Sequence, residues 1–243
     1  MNSVHYACEP FYDVTPPTRI AAIAVKNAES NETKIFSVFK YANELSIPLN
    51  ELATATEYAR VEKKVLDEFY RYVNDEGRNN ARWLHWNMNS ETFGFPVFEN
   101  RYRALGGTPI EILDANKLDL DSVIQDIYGQ QYICHPKFLN LLRHNHLGGS
   151  NYRSGDREAF AFLAGKWEEI HNSVQEKPSI ILEIAKLAHE RKLKTHISNF
   201  RAHFWGWIES QQTDHPIMFW VTLLGVLGSF VTIGLWVWSW FHK

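Results

Sequence analysis

The run of residues 216–241 in this chain contains no charged side chain. A helix crosses a hydrocarbon core roughly 30 Å thick with about 20 predominantly apolar residues, so this run is long enough to span a bilayer with some tilt. Tryptophan, whose indole ring prefers the boundary between lipid and water, occurs near both ends of the run, at Trp220, Trp236, Trp238 and Trp240. The pattern predicts a transmembrane helix over 216–241; a long helix buried in a protein core is the alternative.

Basic residues are more frequent before the apolar run than after it. Those upstream include Arg191, Lys192, Lys194 and Arg201, whereas Lys243 alone follows. The positive-inside tendency predicts that the N-terminal part of the chain lies in the cytoplasm. We therefore expect a single-pass, tail-anchored membrane protein with a soluble domain over 1–195, a juxtamembrane connector over 196–215 and the transmembrane helix over 216–241.

Small residues recur at a spacing of four within the apolar run. They form the pairs Gly225 with Ser229 and Gly228 with Thr232. This spacing lets two helices approach closely in a bilayer. It predicts that the protein forms homo-oligomers through its transmembrane helix.

Charge and cysteine content limit the functions open to the rest of the chain. The formal net charge is −3, without the basic excess typical of nucleic-acid-binding domains, so any contact with nucleic acid must be local. Cys8 and Cys134 are far apart in sequence and lack the spacing of a metal site. Two free thiols fit a reducing compartment, in agreement with a cytoplasmic domain.

Hydrophobic periodicity predicts an α/β domain before the anchor. Short apolar or alternating runs predict strands at 4–8, 20–25, 34–39 and 82–86, with a further short strand at 110–113. Apolar residues at helical spacing predict helices at 53–74, 95–105, 120–128, 136–145, 157–173 and 179–192. Early strands followed by a helical second half indicate a mixed sheet flanked by helices.

Three segments carry a resemblance to a known enzyme superfamily. They are LDEFYRYV at 66–73, WLHWN at 83–87 and FGFPVFENR at 93–101. Their order resembles the DEDD superfamily of 3′–5′ exonucleases, in which a helix leads to a strand ending in His-Asn or Tyr-Asn and a Phe-Asp follows. The resemblance covers roughly residues 4–190. It implies a ribonuclease-H-like mixed sheet flanked by helices, with four carboxylates that hold two metal ions.

Most of those four carboxylates are missing from this chain. The Asp-x-Glu pattern at the end of the first strand is represented by Ala7 and Glu9, and the Phe-Asp pattern ends in Gly94. In the third pattern His171 is followed by Gln175, where the family has an aspartate. Divalent ions such as Mg²⁺ need anionic oxygen ligands. Glu9 remains as a weak candidate metal ligand, and we expect no cofactor.

A rearranged catalytic site is the alternative. Asp13 and Glu91 lie near the depleted positions in sequence, and His85 ends the strand that precedes them in the resemblance. Together with Glu9 they form a candidate catalytic set for a metal-dependent nuclease or phosphodiesterase. Mg²⁺ or Mn²⁺ is implied only in that case.

Polar and aromatic residues around 85–89 suggest a ligand-binding rim. The candidate binding residues are Trp86, Asn87, Asn89, Arg101 and His171. With Glu9, Asp13 and Arg103, such a rim could stack a base on aromatic walls and clamp a phosphate. A buried aromatic core with satisfied polar edges is the alternative.

These patterns leave three functional hypotheses open. The first is a membrane-tethered, catalytically degenerate exonuclease-like domain that binds a nucleic acid, nucleotide or protein partner and signals through its anchor, as in a bacterial defence effector. The second is an active nuclease or phosphodiesterase with a rearranged site. The third is a membrane adaptor that keeps the fold only as a protein interface.

Overall fold

The computed structural model describes residues 1–10, 18–75, 81–90 and 93–196. Outside these ranges lie the apolar run 216–241 with Gly225, Gly228, Ser229 and Thr232, nearly all of the connector, Asp13 and Glu91. In the ranges that are described, no helix combines the length and the apolar character that a bilayer crossing needs.

Five strands in the described residues form one mixed sheet. They are β1 (Asn2–Cys8), β2 (Ile20–Asn27), β3 (Thr33–Ser37), β4 (Trp83–His85) and β5 (Lys117–Asp119), in the spatial order β3-β2-β1-β4-β5. β2 pairs antiparallel with both β1 and β3, whereas β4 pairs parallel with both β1 and β5. The carboxyl ends of β1, β4 and β5 therefore lie at the same edge of the sheet.

Seven α-helices accompany the sheet in the described residues. They are α1 (Val38–Glu44), α2 (Ala55–Asp75), α3 (Phe95–Ala104), α4 (Leu120–Tyr128), α5 (Lys137–Asn145), α6 (Gly155–Leu163) and α7 (Trp167–His189). α2 packs against β2 and β3, and α7 packs against β1 and β2. Successive side chains of a strand point to opposite faces, and residues 20–25 of β2 are all buried, so both faces of the sheet are covered.

Aromatic side chains form the contact between α2 and the sheet. The ring of Phe69 in α2 lies 5.8 Å from that of Phe36 in β3 and 6.3 Å from that of Trp83 in β4. Phe98 of α3 meets the same ring at 5.5 Å, edge to face. Edge-to-face pairs of buried aromatics each add roughly 0.5–1.5 kcal/mol beyond their area burial. This cluster fixes α2 and α3 against the sheet and so positions the loop after β4.

The prediction of a strand over 34–39 extends too far, because the chain enters α1 at Val38. Ser37 is the N-cap of α1, and its Oγ accepts a hydrogen bond from the Lys40 N–H at 3.1 Å. This bond satisfies one of the N–H groups that a helix start leaves unpaired. The fifth strand is Lys117–Asp119, paired with β4, and residues 110–113 form no strand.

The predicted helix break between 173 and 179 is also wrong. α6 ends at Leu163, and the turn that follows contains Gly165 at φ +66°, a conformation that glycine adopts without strain. α7 then continues through the buried Pro178. Proline removes one N–H donor from the helix. The apolar face on either side of Pro178 remains buried, and this packing keeps the helix continuous.

Within the described ranges, residue contacts assign 1–123 with 134–194 to one compact unit and 124–133 with 195–196 to a second. In the described part of the second unit, the His196 N–H donates to the Tyr132 carbonyl oxygen at 3.0 Å. All residues of the site described below belong to the first unit.

Candidate functional site

A cavity of about 430 Å³ opens at the sheet edge where β1 and β4 end. In open α/β sheets this edge is the usual place for ligands. The residues that line the cavity and bear on its chemistry are His5, Ala7, Glu9, Trp86, Asn87, Phe138, Tyr152, Asp156, Glu158 and Lys177. The sheet, the loop after β4, α5, α6 and α7 all contribute to it.

One side of the cavity is aromatic. The Trp86 ring lies 5.0 Å from the Phe138 ring, centroid to centroid, and Phe138 lies 6.4 Å from Tyr152. We call these three side chains the aromatic wall. Trp86 is supplied by the chain that leaves β4 and Phe138 by the start of α5. The neighbouring rings are tilted against each other by 58° and 42°, so a planar ligand can stack on one ring of the wall at a time.

Glu9, the carboxylate that the resemblance retains, is already paired. Its side chain is buried, its Oε1 accepts the Arg19 backbone N–H at 2.6 Å, and its Oε2 accepts the Arg19 Nε–H at 2.6 Å. The Arg19 guanidinium lies 5.1 Å from the ring centroids of Tyr58 and Phe162, which hold it in place. Both oxygens of Glu9 therefore serve a structural ion pair.

A buried ion pair also lines the cavity. Glu158 of α6 and Lys177 of α7 are 5% and 3% exposed, and Glu158 Oε2 accepts from Lys177 Nζ at 2.6 Å. Glu158 Oε1 accepts from the Ser173 hydroxyl at 2.7 Å. Burial raises the pKa of Glu158 and lowers the pKa of Lys177, since desolvation disfavours both charged forms. Their mutual attraction opposes both changes.

The positions that carry metal ligands in the resemblance do not supply them here. Ala7 lines the cavity without an oxygen, and Gln175 is exposed and is not among the residues lining the cavity. The residue of α7 that does line it is Lys177, a cation. At Gly94, φ is +147° and a Cβ would lie 1.9 Å from the Met88 carbonyl oxygen, so no side chain fits without a backbone shift.

These donors do not fit a pair of divalent ions. Such a pair needs several anionic oxygens free to coordinate it. Both oxygens of Glu9 bind Arg19, and both oxygens of Glu158 bind Lys177 and Ser173. In the described lining, the carboxylate outside these pairs is that of Asp156, which is exposed. In the part of the chain that the structure describes, no group of three or more His, Cys, Asp and Glu side chains is arranged to hold a metal ion.

His85, a candidate catalytic residue, is buried behind the rim. Its Nδ1 accepts the Met88 N–H at 3.3 Å and lies 4.0 Å from Asp119 Oδ1. Burial lowers the pKa of His85 to about 4, although Asp119 acts in the opposite direction. His85 is therefore neutral near pH 7, and it does not line the cavity.

The asparagines of the rim are held by acidic residues from the neighbouring strand and helix. Asn87, at φ +51°, donates its backbone N–H to Asp119 Oδ1 at 2.9 Å and its Nδ2–H to Asp121 Oδ2 at 3.1 Å. Asn89 Nδ2 donates to Asp119 Oδ2 at 3.0 Å. Asp121 also accepts from Lys137 Nζ at 3.3 Å. Asn87 lines the cavity and Asn89 does not, so these bonds fix the loop that carries Trp86.

Arg101 and His171 lie away from the cavity. The Arg101 guanidinium makes two bonds to Glu62, at 2.9 Å to Oε1 and 2.6 Å to Oε2. His171 Nδ1 is 2.7 Å from the Ser37 hydroxyl, which caps α1. The predicted combination of Arg101 with the rim as a phosphate clamp is therefore absent from this geometry. Asp13 cannot be placed, because it lies outside the described residues.

Of the residues named from the sequence, Glu9, Trp86 and Asn87 line the cavity, whereas the lining residues from the helical second half were missed. Phe138, Tyr152, Glu158 and Lys177 come from the helical second half. Lys177 did leave a signal, because it occupies the apolar face of α7 together with Val174 and Ile181. A charged residue on such a face is unfavourable unless it is paired, and the pairing partner is the feature to search for.

Comparison with known proteins gives no independent identification. No family model matches the chain, and a search of curated proteins finds no match.

Proposed function

We propose that this chain is a membrane-tethered recognition module with an exonuclease-like fold, which binds a ligand in the cavity and does not cleave it. A five-stranded sheet in which β2 alone runs antiparallel to the other strands supports the ribonuclease-H-like fold that the resemblance implies. The uncharged run 216–241 supports the tether.

One observation gives the main support for the part of the proposal that says the ligand is not cleaved. Lys177, a buried cation, is the residue of α7 that lines the cavity, whereas Gln175, at the position where the resemblance implies a metal ligand, does not line it. An ammonium group there repels divalent ions. Ala7 and Gly94 remove two further ligands, and Gly94 cannot be replaced without a backbone shift. What remains is a cavity with an aromatic wall, two internal ion pairs and the exposed Asp156, which suits binding.

A cleavage assay tests the proposal. The full-length chain is incubated with labelled single-stranded DNA, RNA and dinucleotides in the presence of Mg²⁺ or Mn²⁺. We expect no metal-dependent products. Products that form with the wild-type chain and are lost in Glu9→Gln would show instead an active nuclease with a rearranged site.

The tether is tested separately. The full-length chain and a variant lacking residues 216–243 are expressed, and membranes are washed at alkaline pH, which removes peripheral proteins. We expect the full chain to stay with the membrane and the truncated chain to be released. Release of both would contradict the membrane part of the proposal.

A further inference from the structure

The chemistry of the cavity constrains the ligand beyond the proposed function, on which this step rests. The aromatic wall runs over Trp86, Phe138 and Tyr152, with centroid spacings of 5.0 and 6.4 Å. A volume of about 430 Å³ lies at the small end of the range for small-molecule sites, about 300–1,000 Å³. The cavity therefore suits one planar ring system with a substituent, and not a polymer.

The charges of the cavity disfavour an anionic ligand. Its described lining contains the carboxylates of Glu9, Asp156 and Glu158 and one cation, Lys177. Carboxylates outnumber cations even when Arg19, the partner of Glu9, is included. His5 adds no positive charge, because burial lowers its pKa well below the usual value. Glu9 and Glu158 are paired with Arg19 and Lys177, so the carboxylate that would repel a phosphate group is that of the exposed Asp156.

Lys177 supplies the polar contact that would orient a ligand. Its ammonium has three N–H donors. Among the described residues, Glu158 Oε2 is its hydrogen-bond acceptor, at 2.6 Å. Its Nζ also lies 5.6 Å from the centroid of the Tyr152 ring, at one end of the aromatic wall. A ligand carbonyl or ring nitrogen beside Tyr152 would accept one of the remaining N–H groups.

From these features we infer that the cavity binds an uncharged nucleoside through its base, and that a 5′-phosphate or a polynucleotide weakens binding. The base stacks on the aromatic wall and accepts a hydrogen bond from Lys177. The sugar faces the opening, near Asp156, which is exposed.

Equilibrium dialysis of the full-length chain in detergent tests the inference. The probes are adenosine, guanosine, cytidine and uridine, their 5′-monophosphates and a single-stranded oligonucleotide, all in EDTA. We expect saturable binding of at least one nucleoside and at least tenfold weaker binding of its monophosphate. Tighter binding of a monophosphate or the oligonucleotide would overturn the inference and leave the proposed recognition function intact. Absence of binding by every probe would overturn the inference as well.

Variants separate the contributions of the wall, the donor and the charge. Phe138→Ala removes the central ring of the wall and should weaken nucleoside binding at least tenfold, whereas Phe160→Ala, an exposed ring outside the cavity, should not. The double variant Glu158→Gln with Lys177→Met removes the donor without leaving a buried unpaired charge, and should also weaken binding at least tenfold. Unchanged binding in either cavity variant would contradict the proposed pose.

Asp156→Asn tests the electrostatic argument directly. Asp156 is exposed, so the substitution should leave the fold intact. We expect the preference for nucleoside over monophosphate to shrink severalfold, because a like charge is removed. The control Glu168→Gln changes an exposed carboxylate that does not line the cavity and should leave the preference unchanged. An unchanged preference in Asp156→Asn would contradict repulsion by the cavity.

Discussion

In the resemblance to the exonucleases, Gly94 stands where the Phe-Asp pattern has the third of the four carboxylates, and the local backbone leaves no room for a side chain. Its N–H donates to the Tyr6 hydroxyl at 3.0 Å, while its Cα packs against the Met88 backbone. The loop geometry therefore excludes a carboxylate at this position, and a single substitution would not introduce one.

This geometry predicts a large cost for Gly94→Ala. A Cβ would clash with the Met88 carbonyl oxygen at a backbone conformation that L-residues rarely adopt, so we expect a loss of about 2 kcal/mol or more in the free energy of unfolding. Gly106→Ala is the matched control, because Gly106 also has positive φ but has no atom within 4 Å of its Cβ position. Denaturant unfolding should show a smaller loss there, about 1 kcal/mol. Equal losses would contradict the steric argument.

The lowered pKa of His85 predicts that the free energy of unfolding decreases as the pH falls. Its folded-state pKa of about 4 is depressed below the usual value near 6.5, so the unfolded chain binds the proton more readily between these limits. The stability that His85 contributes is complete above about pH 6.5 and is lost as the pH falls toward 4, by roughly 2–3 kcal/mol. His85→Asn keeps an acceptor for the Met88 N–H and should flatten this slope in unfolding experiments. An identical slope in both chains would show that His85 does not titrate in this way.

At the scale of elements, the ion pair of Glu62 in α2 with Arg101 in α3 joins two helices beneath the sheet edge. Glu62 is fully buried, and its Oε1 also accepts the Ile20 N–H of β2 at 2.5 Å. Burial raises the pKa of Glu62, and Arg101 opposes that shift. Arg101 thus stabilises the packing of α2, α3 and β2, and its guanidinium is bound to Glu62.

Arg101→Met should therefore destabilise the fold strongly. It leaves a buried carboxylate without its partner, which typically costs about 3–5 kcal/mol. Arg103→Met on the same helix breaks an exposed pair with Glu99 and should cost about 0.5 kcal/mol or less. The denaturant midpoints of unfolding of the two variants are compared with that of the wild-type chain. Similar, small effects would show that Arg101 is free to serve a ligand.

The sequence predicted elements best where one physical signal dominated. The continuous apolar run of β2 and the amphipathic pattern of α2 led to the right elements, because burial on two faces and on one face leave distinct patterns. β5 was missed because its three residues have no periodicity of their own and are fixed by pairing with β4. The residues that α5, α6 and α7 contribute to the cavity were missed as well, because their place in it depends on how these helices pack.

At the scale of the whole molecule, the proposal joins a binding cavity to a membrane anchor. The pairs Gly225 with Ser229 and Gly228 with Thr232 predict close packing of two anchors. Exchanging these small residues with neighbouring large ones, at constant composition, should lower self-association of the full chain in bilayers, measured by energy transfer between labelled copies. Exchanging Leu223 with Val226, which leaves the small residues in place, is the control. Unchanged transfer in the first variant would contradict the predicted homo-oligomer.

The central claim is that the cavity recognises a ligand and lacks the ligands for two catalytic metal ions. Titration of the full-length chain with Mn²⁺, followed by electron paramagnetic resonance of the free ion, tests it most directly. We predict no saturable binding that depends on Glu9, since both of its oxygens bind Arg19. Two saturable Mn²⁺ ions per chain, lost in Glu9→Gln, would contradict the account.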